Sequence, residues 1–255
     1  DDVLRGEAAP KVMLCSHGMC DHYDPRSYSQ VLGLTWVMDN RDPNRHEYPG
    51  MVLFSGGKIE DIKQVAKELY GSEQAVDPMG KITPYHPSKG KFAIAIDHRG
   101  ILKDSLPVCD WVFPIVLSPH PEKKFMGDTT IESKLFSAVT GLKWGEKELD
   151  HAAERCWNLH RAITIRDWKT ANLREGHDVL PQMYFAGETD RAAVSPIPTG
   201  GAGGLDRKDF EEAKTDYYRQ RGWDEKTGAP TRAKLEELDL KDVADKLSAA
   251  KLLPG

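Results

Sequence analysis

The sequence predicts a mainly α fold. Three observations carry that reading. Apolar residues recur at i, i+3 and i+4 in one segment after another, helix start and stop residues bracket those segments, and the alternation expected of strands is nearly absent. Six tryptophans, mostly in separate segments, call for a sizeable core. With 255 residues, 39% hydrophobic and 29% charged, the composition is that of a folded soluble domain. The net charge of -5 offers no electrostatic case for nucleic acid. No apolar run approaches the ~20 residues of a membrane span. Four cysteines are too sparse for a disulfide framework, so reduced thiols in a cytoplasmic protein are expected. The start, Asp1-Asp2-Val3-Leu4-Arg5-Gly6, has neither Met nor a signal-peptide pattern, so residues 1–255 are read as one helical domain of a longer polypeptide.

Lys11 to Cys15 reads as a short strand or a helix end, and Cys15-Ser-His17-Gly-Met-Cys20-Asp-His22 is rich in metal-ligand types. A structural zinc site wants a second pair of ligands at a distance, and none follows, so a loop with ordinary thiols is the simpler reading. Asp24 caps a helix with Pro25 at its first position, and Val31, Leu34, Thr35 and Met38 share a face. That helix should end near Asp42-Pro43, because the residue before a proline avoids helical angles. Residues 60–70 form an amphipathic helix on Ile62, Val65, Ala66 and Leu69, closed by Gly71. Ser88 is the expected cap of a helix from Lys89 to Lys103, with Phe92, Ala93, Ile96 and Ile101 inward. Thr129-Thr-Ile-Glu132 fits a capping box for a helix that buries Ile131, Leu135, Phe136 and Val139 and stops at Gly141. A long helix then runs from about Glu146 to Ile163 on a stripe of Leu149, Ala152, Ala153, Cys156, Leu159 and Ile163. Residues 166–208, polar and broken by Gly and Pro, read as a surface excursion. Helices at about 207–221 and 231–248, the second broken near Asp239, end the chain.

The candidate site lies where the helix begun near Lys89 runs out, at Asp104-Ser-Leu-Pro-Val-Cys109-Asp110. A carboxylate and a thiol five residues apart at a helix end can offer an acceptor to a polar ligand and a sulfur to a metal. The loop Asn44-Arg45-His46-Glu47-Tyr48 is the second candidate, dense in groups that bind anions or move protons.

Several segments together resemble the C-terminal part of the aldehyde ferredoxin oxidoreductase family, tungsten enzymes with two pterin cofactors. Tyr23-Asp-Pro-Arg26 resembles its Tyr-Asp-Pro-Arg segment. Asn40-Arg41 with His46 resembles its Asn-Arg-Gly-x-Cys-His loop, and Asp104 to Cys109 its Asp-x-x-Gly-Leu-Cys turn. Ala138 to Trp144, Ala153 to Leu159, Leu173 to Gly176, Tyr217 to Asp224 and Leu235 to Leu238 follow in family order.

The resemblance implies the C-terminal helical domain of a tungsten (or molybdenum) bis-pyranopterin enzyme with a [4Fe-4S] cluster. It implies that Asp104, with backbone groups of Val108 and Asp110, meets a pterin. Cys109 would be a thiolate ligand of the cluster, Arg41 a cation beside the cofactor, and His46 the catalytic proton carrier. It also implies electron transfer between an organic substrate of aldehyde/carboxylate type and an iron–sulfur carrier. The expected partners are the upstream domains, a ferredoxin or iron–sulfur electron-transfer subunit, and a second copy of the chain in a homodimer. Two departures are visible. Pro107 stands at the family's Gly, which should deny the turn a positive φ there. The histidine loop is one residue longer and lacks the Gly and Cys. A changed substrate loop suits a related branch, the tungsten subunits of class II benzoyl-CoA reductases. A helical interaction domain that kept the fold and lost the site is the non-catalytic alternative.

Overall fold

The structure, a computed structural model, describes residues 15–16, 19–20, 30–39, 58–77, 82–109, 116, 118, 120–185 and 204–254. Among these the chain is mainly helical. A hairpin of β1 (Cys15–Ser16) and β2 (Met19–Cys20) is followed by α1 (Gln30–Met38), α2 (Ile59–Tyr70), α3 (Pro87–Ser105) and α4 (Ile131–Thr140). Then come α5 (Glu146–Trp168), α6 (Arg207–Gln220), α7 (Arg232–Glu237) and α8 (Lys241–Ala249). The expected helix start at Asp24 lies outside the described residues. No described helix is long and apolar enough to cross a membrane.

α3 is the centre, packed against α1, α2, α5 and α6. α1 carries no charged residue and is buried on every side, where one apolar face was expected. At Gly33 an added Cβ would lie 3.1 Å from the Phe210 ring and 3.2 Å from Leu180, so α6 and the segment before it close over α1 at that point. α2 buries Ile62, Val65 and Ala66 as its periodicity predicts, and Gly71 ends it at φ 84. A second, smaller core joins Ala162 and Ile165 of α5 to Leu235, Leu238 and Ala244 of α7 and α8. The break between α7 and α8 is where Asp239 turns to φ 55.

Four local expectations are corrected, each for a physical reason. α3 is capped by His86, whose Nδ1 accepts from the Ser88 N–H at 3.2 Å; Pro87 takes the first helical position, where its missing N–H leaves nothing unsatisfied. Glu132 does not reach back to a cap. It is buried beside Arg99 of α3, and the pull of that cation rolls α4 so that Leu135 (42% exposed) and Val139 (85%) face outward. α5 continues to Trp168, and its inward line is Leu149, Ala153, Trp157, Arg161 and Ile165, with Ile163 turned out and Cys156 half-buried. The rotation seats Arg161 on Asp178. That pairing also explains why the polar stretch after α5 is not a surface excursion as far as Phe185: Leu173, Leu180, Tyr184 and Phe185 are buried with Asp178, while residues 186–203 lie outside the described residues.

Candidate functional site

The Asp104–Cys109 turn is carried by a helix that buried charges pin along its length. Near its start, Lys89 Nζ donates to Asp77 Oδ1 (2.9 Å), Gln30 Oε1 (3.2 Å) and Thr83 O (2.7 Å). Burial pushes the Lys89 ammonium down against the pull of Asp77. Two turns on, Asp97 accepts from Tyr217 Oη and from Arg221 Nη2 (2.8 Å), which ties α3 to the end of α6. Arg99 pairs with Glu132 of α4 and comes within 3.7 Å of Glu146 of α5. Burial pushes the Glu132 carboxyl up, while Arg99 and Lys103 pull against it.

His98 links α3 to α5. Its Nε2 lies 2.8 Å from Arg221 Nη1 and 3.3 Å from Glu154 Oε2, and its Nδ1 lies 3.9 Å from Asp150. A guanidinium can only donate, so Nε2 accepts and the proton of the neutral ring sits on Nδ1. Burial, joined by Arg221, holds the His98 pKa below its ordinary 6.5 against the pull of Glu154 and Asp150. Burial opposes the charge on Glu154, but His98, Arg221 and Lys234 outweigh it and hold that carboxyl down at about 2.

The sign of the pH effect follows. A depressed His98 makes the unfolded chain the better proton acceptor below pH 6.5. The stability from the neutral ring is complete above that pH and drains as pH falls toward the lower folded value. His98→Gln is expected to flatten the loss of stability between about pH 7.5 and 5.5, at most ~1.4 kcal/mol per pH unit for one proton. Urea midpoints at the two pH values check this; an unchanged slope would remove His98 as its source.

At the far end of α3 the chain makes a Schellman cap. The Val108 N–H donates to Lys103 O at 3.2 Å, the 6→1 bond of that motif, and Leu106 N–H donates to Leu102 O at 2.8 Å. Pro107 therefore occupies the position at which such caps use a left-handed glycine, and it is driven to φ 21. The expectation that proline would forbid a positive φ is corrected by the cap on either side of it. Proline cannot supply the second, 5→2 bond, and its ring opposes that φ. Pro107→Gly is expected to raise stability by about 1 kcal/mol, the released strain exceeding the entropy lost to a freer unfolded chain. A lower urea midpoint for the variant would refute that account of the turn.

The turn leaves Asp104 and Cys109 exposed and Val108 half-buried, with the Cys109 thiol free. The Val108 N–H is spent on the cap. Asp110, Arg41 and His46 lie outside the described residues, as do His17, His22 and the loop 44–48. No three His, Cys, Asp or Glu side chains among the described residues come together as a metal site. A separate hollow of about 370 Å³ opens beside the middle of α3, with Tyr70, Phe92, Ile96, His98, Arg99 and Asp150 among its lining.

The sequence reading missed the charges that hold the site. Asp97-His98-Arg99, three titratable residues in a row between the inward Ile96 and Ile101, were the available signal. A lone polar residue on a buried helix face can be turned outward; three consecutive ones span most of a turn, and one must point in.

Residues 5–240 match the family described as aldehyde ferredoxin oxidoreductase, domains 2 & 3. Among solved structures the chain is similar to a chain of the active site complex BamBC of benzoyl coenzyme A reductase in complex with 1,5-dienoyl-CoA. The TM-score is 0.53 at 18% identity, over 88% of this chain and 32% of that one. At that identity the likeness speaks for the fold, and this chain spans about a third of the length of that relative.

Proposed function

This chain belongs to the aldehyde ferredoxin oxidoreductase family, and on that premise we propose that it is the C-terminal helical domain of a tungsten bis-pterin oxidoreductase. The enzyme would move electrons between an aldehyde- or carboxylate-type substrate and an iron–sulfur carrier. The observation that carries the reading is the turn after α3. It presents an exposed carboxylate and an exposed free thiol at the end of the central helix α3, at the segment that resembles the family's motif.

The residues fit one side of a shared cofactor site. Asp104 is the acceptor for pterin ring N–H groups, helped by the carbonyl of Val108 and the backbone of Asp110. Cys109 supplies one thiolate, and a [4Fe-4S] cluster takes about four, so the other ligands belong to upstream domains. When bound, the metal–pterin and the cluster supply the electron chemistry. Arg41 offsets the anionic charge of the cofactor, and His46 gives or takes a proton at an imidazole nitrogen. A second reading, reduction of an aromatic acyl-CoA ring as in class II benzoyl-CoA reductase tungsten subunits, is favoured by the longer loop from Asn40 to His46.

Metal analysis of the full-length protein purified without oxygen tests the proposal. About one tungsten or molybdenum and four irons per chain, with a pterin fluorophore after oxidation, are expected. Absence of all three would leave the non-catalytic interaction domain.

A further inference from the structure

β1 and β2 pair antiparallel, with Cys15 opposite Cys20 and Ser16 opposite Met19. Only His17 and Gly18 lie between the strands. In a hairpin with a two-residue connection, the pair beside the turn exchanges hydrogen bonds. The next pair out, here Cys15 and Cys20, is then of the closer non-hydrogen-bonded kind, for which Cα atoms typically stand ~4.5 Å apart. Disulfides span Cα separations of roughly 4.4–6.8 Å. A two-stranded hairpin is marginal in water even with longer strands, and a bond at its open end would hold this one closed.

From this register we propose that Cys15 and Cys20 form a reversible thiol–disulfide pair, a redox-sensitive modification site apart from the proposed cofactor turn. The oxidant is a small-molecule disulfide. One cysteine thiolate displaces a thiol from the reagent to form a mixed disulfide, and the second cysteine displaces the other thiol. The two cysteines are oxidised by two electrons, the reagent is reduced to two thiols, and the cysteine protons end on those thiols. A pair of this kind in a reducing compartment serves to sense or exchange electrons rather than to brace a fold. The proposal does not depend on the oxidoreductase reading.

The test uses the full chain equilibrated with graded ratios of oxidised to reduced dithiothreitol, acid-quenched, alkylated and digested with trypsin. Cleavage after Lys11 and Arg26 releases residues 12–26, which contain Cys15 and Cys20 and no other cysteine. At the oxidising end this fragment should lack two hydrogens and take no alkyl group. At the reducing end it should take two, with a midpoint independent of protein concentration. Double alkylation across the whole series would overturn the proposal, as would protection from alkylation that depends on retained zinc. In Cys20→Ser, Cys15 should stay open to alkylation at every ratio; a fragment still blocked there would show a different partner and also overturn it.

Discussion

Asp178→Ala is expected to cost about 3–5 kcal/mol of folding stability, the penalty for leaving one member of a buried ion pair without its partner. Asp178 takes Arg161 Nη1 at 2.8 Å with Nη2 on its other oxygen, Tyr218 Oη at 2.5 Å and His177 Nδ1 at 2.7 Å. Arg161 and Asp178 are both buried. Burial alone would raise the Asp178 carboxyl, but Arg161 and His177 overcome it and hold its pKa well below the usual carboxylate range. The stability it contributes is therefore present above the unfolded value of 3.8 and is lost as pH falls below it. Gly228 packs closely on the pair: a Cβ there would come within 2.8 Å of the Tyr218 ring and 2.9 Å of Arg161 Nη2. The melting temperature of Asp178→Ala should fall by roughly 10 °C, taking 2–4 °C per kcal/mol for a domain of this size. The double variant Arg161→Met with Asp178→Leu should recover only part of it: an apolar pair needs no charge compensation, but the Tyr218 hydroxyl and the His177 ring still lose their acceptor. A loss under 1 kcal/mol in the single variant would mean that the segment after α5 is not anchored there.

How much of this was legible in the sequence depended on the kind of force. Helices set by apolar spacing and a terminal glycine, such as α2, or by a paired break, such as α7 and α8, could be read directly. Position along the chain and local conformational preference determine them. Where a long-range charge pair sets the rotation of a helix, periodicity misled. Leu135 and Val139 look like an inward face until Glu132 is known to be held by Arg99, thirty-three positions earlier. Ile163 looks inward until Arg161 is known to sit on Asp178. The polar look of residues 171–185 concealed the buried Leu173, Leu180, Tyr184 and Phe185 for the same reason. Of the site, the Asp104–Cys109 turn was visible as a motif. Its Schellman cap was not, because proline is the residue least suited to that position.

The rigidity of α3 and the exposure of its last turn together separate function from stability. Asp104 stands at the C-terminal end of a helix, where the helix dipole disfavours an anion by a few tenths of a kcal/mol. Cys109 is exposed beyond the cap. The thiol is not placed to support the fold, so Cys109→Ala should change folding stability by no more than about 0.5 kcal/mol. On the proposed reading, in the anaerobically purified full-length protein the same substitution should abolish the cluster: iron should fall from about four per chain to near zero and its electron paramagnetic resonance signal should vanish, because one of four thiolates is gone. Asp104→Asn should lower the pterin content of the same preparation. The contrast with Asp178→Ala is the point of the experiment. A buried carboxylate removed from the core should destabilise the protein, whereas a thiol removed from the exposed turn should leave a stable protein without its cluster. Full iron occupancy in Cys109→Ala would exclude that residue as a ligand, and wild-type pterin content in Asp104→Asn would exclude the carboxylate as its acceptor.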